Sequence, residues 1–194
     1  MTYRKLVKKM GRRLLRSGLT VATWGNISVR DERGRVYITP SGMDYRKIHT
    51  SDIVVTNPDG KILRGRRRPS TELALHLAVY RARPEVRAIV HTHPVYSTAF
   101  SCVGEDIPLF TDEAAQCLGD VCRTARYALP GTPELALATL TTGLGIHSLA
   151  TPQLGLQGIP RNRSGCRLWL GATVLFLIGV LNGSLTSGTG LFVT

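Results

Sequence analysis

The strongest constraint on this chain is the run Val86-Arg87-Ala88-Ile89-Val90 with His91-Thr92-His93 directly behind it. Pro84 and Pro94 bracket the segment, and its apolar residues read as a short strand buried in a sheet. Residues two apart on a strand point to the same side of the backbone. The imidazoles of His91 and His93 can therefore reach one ion together, at the carboxyl end of a buried strand. A His-x-His pair is an ordinary pattern when it stands alone, so the rest of the chain decides what this one means.

The sequence upstream supplies the other elements. Residues 3–17 carry Leu6, Val7, Met10, Leu14 and Leu15 at helical spacing with Lys and Arg between them, and Ser17-Gly18 ends the helix. Residues 23–30 read as a small-residue loop around Gly25 and Asn26, of the kind that can wrap a phosphate. Asp31-Glu32-Arg33-Gly34-Arg35 is a hairpin turn. The strand Val36-Tyr37-Ile38 leads into a second small-residue loop, Thr39-Pro40-Ser41-Gly42. Residues 52–56 form a further strand, closed by the turn Asn57-Pro58-Asp59-Gly60, and Lys61-Ile62-Leu63 continue an antiparallel pattern. A basic loop, residues 64–68, ends in Pro69-Ser70-Thr71-Glu72. There a helix opens with Glu72 in its first turn and runs to about Arg81. Beyond the histidines, a helix is expected over residues 96–103, an extended piece over 107–110, an apolar segment over 113–118, a strand over 121–129, and a helix start after Pro130-Gly131-Thr132-Pro133.

With 194 residues, 43% of them hydrophobic, the chain is long enough for one domain with its own core and too apolar to be disordered. The net charge of +12 is uneven: residues 1–68 hold 17 of the 25 Lys and Arg but only 5 of the 13 acids. Aromatic residues make up 6% and do not interleave with the charge, so the basic face is expected to attract anionic metabolites rather than nucleic acid. Cys102, Cys117, Cys122 and Cys166 include no Cys-x-x-Cys pair and follow no apolar leader, so the expectation is a reduced cytoplasmic protein with buried free thiols. His76 and His49 are expected to be structural.

Taken in order, Gly25-Asn26, Thr39-Pro40-Ser41-Gly42, Ser70-Thr71-Glu72 and His91-Thr92-His93 resemble the class II aldolase/adducin family, whose type enzyme is L-fuculose-phosphate aldolase. The resemblance covers about residues 1–135. It implies an α/β fold, a three-layer α/β/α sandwich with a mainly antiparallel central sheet, assembled as a homotetramer. It implies phosphate binding by Gly25, Asn26, Thr39, Ser41, Gly42, Ser70 and Thr71, with Glu72 as catalytic acid/base and Tyr127 as an acid toward the released aldehyde. Zn2+ is implied on His91 and His93, with Glu72 as a further ligand. The implied reaction is cleavage of a ketose phosphate to dihydroxyacetone phosphate and an aldehyde through an enediolate. A phosphopentulose 4-epimerase, a methylthioribulose-phosphate dehydratase and an inactive adducin-like binding module are the alternatives on the same fold. The partner is a small sugar phosphate, and no membrane association is expected.

The pattern breaks downstream. The family's third zinc histidine sits in an Asn-His-Gly motif that this sequence lacks; its only later histidine is His147. Residues 135–194 contain no Asp, Glu or Lys but ten of the twenty glycines. Residues 168–181 form an uncharged apolar run, shorter than the ~20 residues that a membrane helix needs. The expectation is that residues 136–194 belong to the same domain but are out of frame, with a slip between residues 136 and 150.

Overall fold

A computed structural model describes residues 2–112, 115, 121–143 and 190–192, the last three and residues 141–143 by their backbone alone. The first helix, α1 (Tyr3–Arg16), buries Val7, Gly11 and Leu14 and stops at Ser17, with Arg13 and Arg16 in its last turn facing the negative end of the helix dipole. Gly11 is required there: a Cβ would stand 2.6 Å from the Tyr45 ring.

The sheet contains β1 (Asn26–Arg30), β2 (Val36–Ile38), β3 (Val54–Thr56), β4 (Ile62–Arg64), β5 (Ala88–Thr92) and β6 (Gly190–Phe192). Their spatial order is β4-β3-β2-β1-β5-β6, and every described pairing is antiparallel. The β1–β2 hairpin is set by Asp31, whose Oδ1 accepts from the N–H groups of Arg33 and Arg35 at 3.0 and 2.9 Å. Such an Asx turn is local chemistry, which is why the sequence announces it.

Helices cover both faces. Ile27, Val29, Tyr45, Ile48 and Ile53 pack with Val7 and Leu14 of α1 on one side. On the other side, Val36, Val86 and Ile89 pack with Leu75, Leu77, Val79 and Tyr80 of α2 (Leu73–Ala82) and with Leu135 and Ala136 of α4 (Pro133–Gly143). The remaining described helix, α3 (Val95–Val103), follows β5 directly. The result is the expected α/β sandwich on an antiparallel sheet. Ile27, Ile38, Ile53 and Ile89 are essentially inaccessible to solvent, each contributing about 1.5–3 kcal/mol by burial.

Several expectations are corrected. The small-residue loop ends at Gly25, and residues 26–30 are strand β1: Asn26, Ile27, Ser28 and Val29 are all buried, so its polar positions do not mark a solvent-facing turn. Asp52 lies in a 3-10 turn (Thr50–Asp52) ahead of β3, held by Arg67 and the His49 N–H. Glu72 stands one residue before α2 rather than within its first turn. Residues 121–129 form no strand; they meet the preceding segment through the Ile107–Cys122 bridge and through Thr124, which donates to Asp106 and to the Glu105 carbonyl. Cys122 is buried as expected, but Cys102 is exposed. No described helix is long and apolar enough to cross a membrane. The segments 113–118 and 168–181, Cys117, Cys166, His147 and the postulated frame slip lie outside the described residues, apart from Ala115 and residues 136–143.

Candidate active site

The β1–β5 pairing builds the floor of the site. Asn26 is the direct cross-strand partner of His91, and opposed residues of an antiparallel pair project to the same face. The His91 and His93 rings stack at 5.0 Å between centroids, and Trp24 lies 5.7 Å from His93. The loop before β1 is stapled to this strand end: the His93 N–H donates to the Leu19 carbonyl at 3.0 Å, and the Thr20 hydroxyl donates to the Trp24 carbonyl at 2.6 Å. Gly25 has φ +71, and a Cβ there would stand 2.5 Å from the His91 carbonyl oxygen. Only glycine lets the loop come this close to the histidine strand.

Two further loops close over the floor. The Ser41 N–H donates to the Arg68 carbonyl and the Ser70 N–H to the Thr39 carbonyl, both at 3.0 Å. The Ser70 hydroxyl accepts from the Glu72 N–H at 3.2 Å, fixing the turn that presents the carboxylate. Gly131, at φ +79, packs its backbone against Thr71 and hydrogen-bonds Glu72. These parts surround one cleft of about 160 Å3, lined by Gly25, Asn26, Ser41, Gly42, Ser70, Thr71, Glu72, His91 and His93, and also by Thr23, Trp24, Pro40 and Pro130.

Two of the expected residues stand elsewhere. Thr39 is buried behind its loop, where its hydroxyl accepts from the Ile27 N–H at 3.1 Å, and it does not line the cleft. Tyr127, 38% exposed, lines a separate cleft with Arg126, Ala128 and Glu134. Conversely, Trp24, Pro130 and the Gly131 N–H were not singled out from sequence. Pro130-Gly131 is visible as a turn, but nothing local links it to an acid almost sixty residues away.

His76 explains how Asn26 is oriented. It is fully buried, with Nε2 at 2.5 Å from Asn26 Oδ1 and Nδ1 at 2.6 Å from Ser28 Oγ; Ser28 Oγ lies 2.8 Å from the buried Tyr80 hydroxyl. Among the described residues the acceptor within reach of the Tyr80 hydroxyl is Ser28 Oγ, so Tyr80 is assigned as the donor. Ser28 then donates to Nδ1, and Nε2–H donates to Asn26 Oδ1. That leaves the Asn26 amide with its two N–H donors for the cleft, suited to an anion or a carbonyl oxygen. Burial pulls the His76 pKa down to about 3, so the ring stays neutral and keeps this tautomer.

The electrostatics of the cleft are set by dehydration. Burial, reinforced by the neighbouring rings of His93 and His76, holds His91 well below its usual range; burial alone lowers His93 to about 4. Both imidazoles are neutral near pH 7, the form that ligates metals. Burial raises Glu72 to about 7, against a lowering contribution from the Gly131 N–H. Among the described residues, both nitrogens of His91, Nδ1 of His93 and Oε2 of Glu72 are buried and find no hydrogen-bond partner. Each unpaired group of this kind costs about 1–3 kcal/mol, and their concentration around one cleft fits a cation. Among the described residues no group of three or more His, Cys, Asp or Glu side chains is placed to hold a metal ion, so His91 and His93 stand there as a pair.

The family model for the class II aldolase and adducin N-terminal domain matches residues 5–148. The chain is 39% identical over 134 residues to 5-deoxy-D-ribulose 1-phosphate aldolase of Bacillus thuringiensis serovar kurstaki, covering 69% of this chain and 62% of that protein. It is 46% identical over 110 residues to L-ribulose-5-phosphate 4-epimerase UlaF of Salmonella paratyphi B, covering 56% and 48%. Among solved structures, an L-fuculose 1-phosphate aldolase superposes with a TM-score of 0.68 at 37% identity over 72% of this chain and 66% of that one. The L-fuculose-1-phosphate aldolase of Thermus thermophilus gives 0.60 at 30% identity, over 73% and 71%. The chain spans about half to three-fifths of the length of the curated relatives it matches.

Proposed function

The chain belongs to the class II aldolase and adducin family, and from that premise we propose that it is a zinc-dependent aldehyde-lyase cleaving a ketose phosphate to dihydroxyacetone phosphate and an aldehyde. The observation that carries this reading is the set of unpartnered buried atoms on His91, His93 and Glu72 around one cleft. His91 and His93 would hold the ion, and Glu72, which lines the same cleft, would add a carboxylate donor. When bound, Zn2+ supplies Lewis acidity toward the substrate's carbonyl and hydroxyl oxygens.

The chain's own groups do the rest. Asn26 presents N–H donors, and the loops carrying Ser41, Gly42, Ser70 and Thr71 offer hydroxyls and backbone N–H groups to the phosphate. Anchoring the phosphate fixes the reacting carbons beside the histidines. Cleavage takes the proton off the hydroxyl that becomes the aldehyde carbonyl and leaves the electron pair of the broken carbon–carbon bond on the fragment that keeps the phosphate, and Glu72 delivers the proton that quenches it. A carboxyl with pKa about 7 is suited to giving and taking a proton at neutral pH. In one chain Tyr127 lies outside this cleft, so an acid role for it belongs to a cytoplasmic homotetramer in which subunits complete one another's sites.

The similarity to an L-ribulose-5-phosphate 4-epimerase favours a second reading, epimerisation of a pentulose 5-phosphate at the same site. Assaying zinc-loaded protein against ketose 1-phosphates and pentulose 5-phosphates separates the two: aldehyde release supports the lyase and epimer formation the epimerase. Absence of both activities, together with no zinc in metal analysis, refutes the proposal and leaves a binding module.

A further inference from the structure

The cleft at His91 and His93 is small for the substrates in question. Ligand pockets for small molecules usually measure about 300–1,000 Å3, and this one holds about 160 Å3. Two of its walls, Ser41 and Thr71, also line a second cleft of about 550 Å3, which Arg66, Arg67 and Arg68 line as well. A ligand too large for the first space extends along these shared walls into the second.

The arm that carries these arginines is anchored rather than free. Gly65, at φ +116, seats it against β3, where a Cβ would lie 3.2 Å from the Val54 Cα. At its other end the Arg68 carbonyl accepts from the Ser41 N–H, and Pro69 bridges to Pro40. Arg67 is committed to Asp52, with Nε 3.0 Å from Oδ1. Among the described residues no acid pairs with Arg66 or Arg68. Among the described residues, the second cleft therefore has two guanidinium groups without an acidic partner and not one carboxylate in its wall.

We propose that Arg66 and Arg68 form a second anion subsite, contiguous with the candidate active site, that takes a second phosphate or carboxylate on the same small molecule. Guanidinium forks bind both groups through paired N–H donors. The proposal rests on the reading that the first cleft holds a sugar phosphate, and it adds a preference for a second anionic group on that sugar.

The test is titration calorimetry on the full chain at physiological salt with ribulose 5-phosphate, ribulose 1,5-bisphosphate and inorganic pyrophosphate. The wild type is expected to bind the bisphosphate at least about tenfold more tightly than the monophosphate, the equivalent of one charge-assisted contact. In Arg66→Ala/Arg68→Ala that advantage falls below about threefold, and Arg66→Lys/Arg68→Lys restores part of it. Equal affinities in the wild type, or an advantage that survives the double alanine variant, overturn the subsite and leave the sugar-phosphate reading standing. If neither sugar binds, pyrophosphate decides: binding that depends on the two arginines keeps the subsite and removes the sugar-phosphate reading, and its absence overturns both.

Discussion

Replacing His76 with leucine tests how the site is held together. The substitution keeps an apolar side chain of similar bulk at a fully buried position and deletes the hydrogen bonds to Asn26 and Ser28. Asn26 Oδ1 loses its donor, and one hydroxyl of the Ser28–Tyr80 pair loses its acceptor. Two such groups cost together about 2–6 kcal/mol, a large part of a domain's total stability of about 5–15 kcal/mol. At roughly 2–4 °C per kcal/mol for a chain of this size, the melting temperature falls by about 5–20 °C. The pH dependence adds a second, signed expectation. His76 has a pKa of about 3 in the folded state and an ordinary value near 6.5 in the unfolded one, so the unfolded state binds the extra proton. Wild-type stability is therefore lost as pH falls below about 6.5, and the loss continues toward pH 3. At pH 4 this amounts to about 3 kcal/mol at 1.36 kcal/mol per pH unit, a loss that the leucine variant does not suffer. Urea unfolding of both proteins at pH 7 and pH 4 should thus show a deficit of the variant at pH 7 that shrinks by about 3 kcal/mol at pH 4. At pH 7 the released Asn26 amide should also weaken inorganic phosphate binding about tenfold. A variant within 0.5 kcal/mol of wild type at both pH values, with unchanged phosphate affinity, refutes the network as described.

Gly25→Ala forces a Cβ to 2.5 Å from the His91 carbonyl at a positive φ. It should cost about 1–3 kcal/mol in chemical denaturation and abolish turnover; stability unchanged within error would show that the loop does not need this approach. Glu72→Gln removes the proton-transfer group but keeps its size, so turnover should vanish while phosphate binding stays within about threefold, and a turnover assay showing retained activity removes Glu72 from its role. Sequencing the locus between codons 136 and 150 should reveal an inserted or deleted base, whereas an unbroken frame refutes the proposal that the glycine-rich, acid-free tail is out of frame.

What the sequence determined by itself is what short-range physics controls. The spacing of Val7, Met10 and Leu14 made α1, Asp31 and Gly34 made the hairpin turn, and two prolines around an apolar run made β5 with its histidine pair. What only the tertiary structure decided is where polar atoms are satisfied. Asn26 and Ser28 read as loop residues because their partner, His76, is 50 and 48 residues away on α2; once that partner is in place they can sit buried in a strand. Thr39 looked like a phosphate ligand from its neighbours, yet its hydroxyl is spent on Ile27. Glu72 is pushed up to about 7 by burial under several loops, and its backbone contact comes from Gly131. Helical period and turn chemistry depend on residues a few positions apart, and so a linear reading recovers them. A hydrogen bond between β1 and α2, or the dehydration of a carboxylate, exists only after the sheet has brought distant segments together.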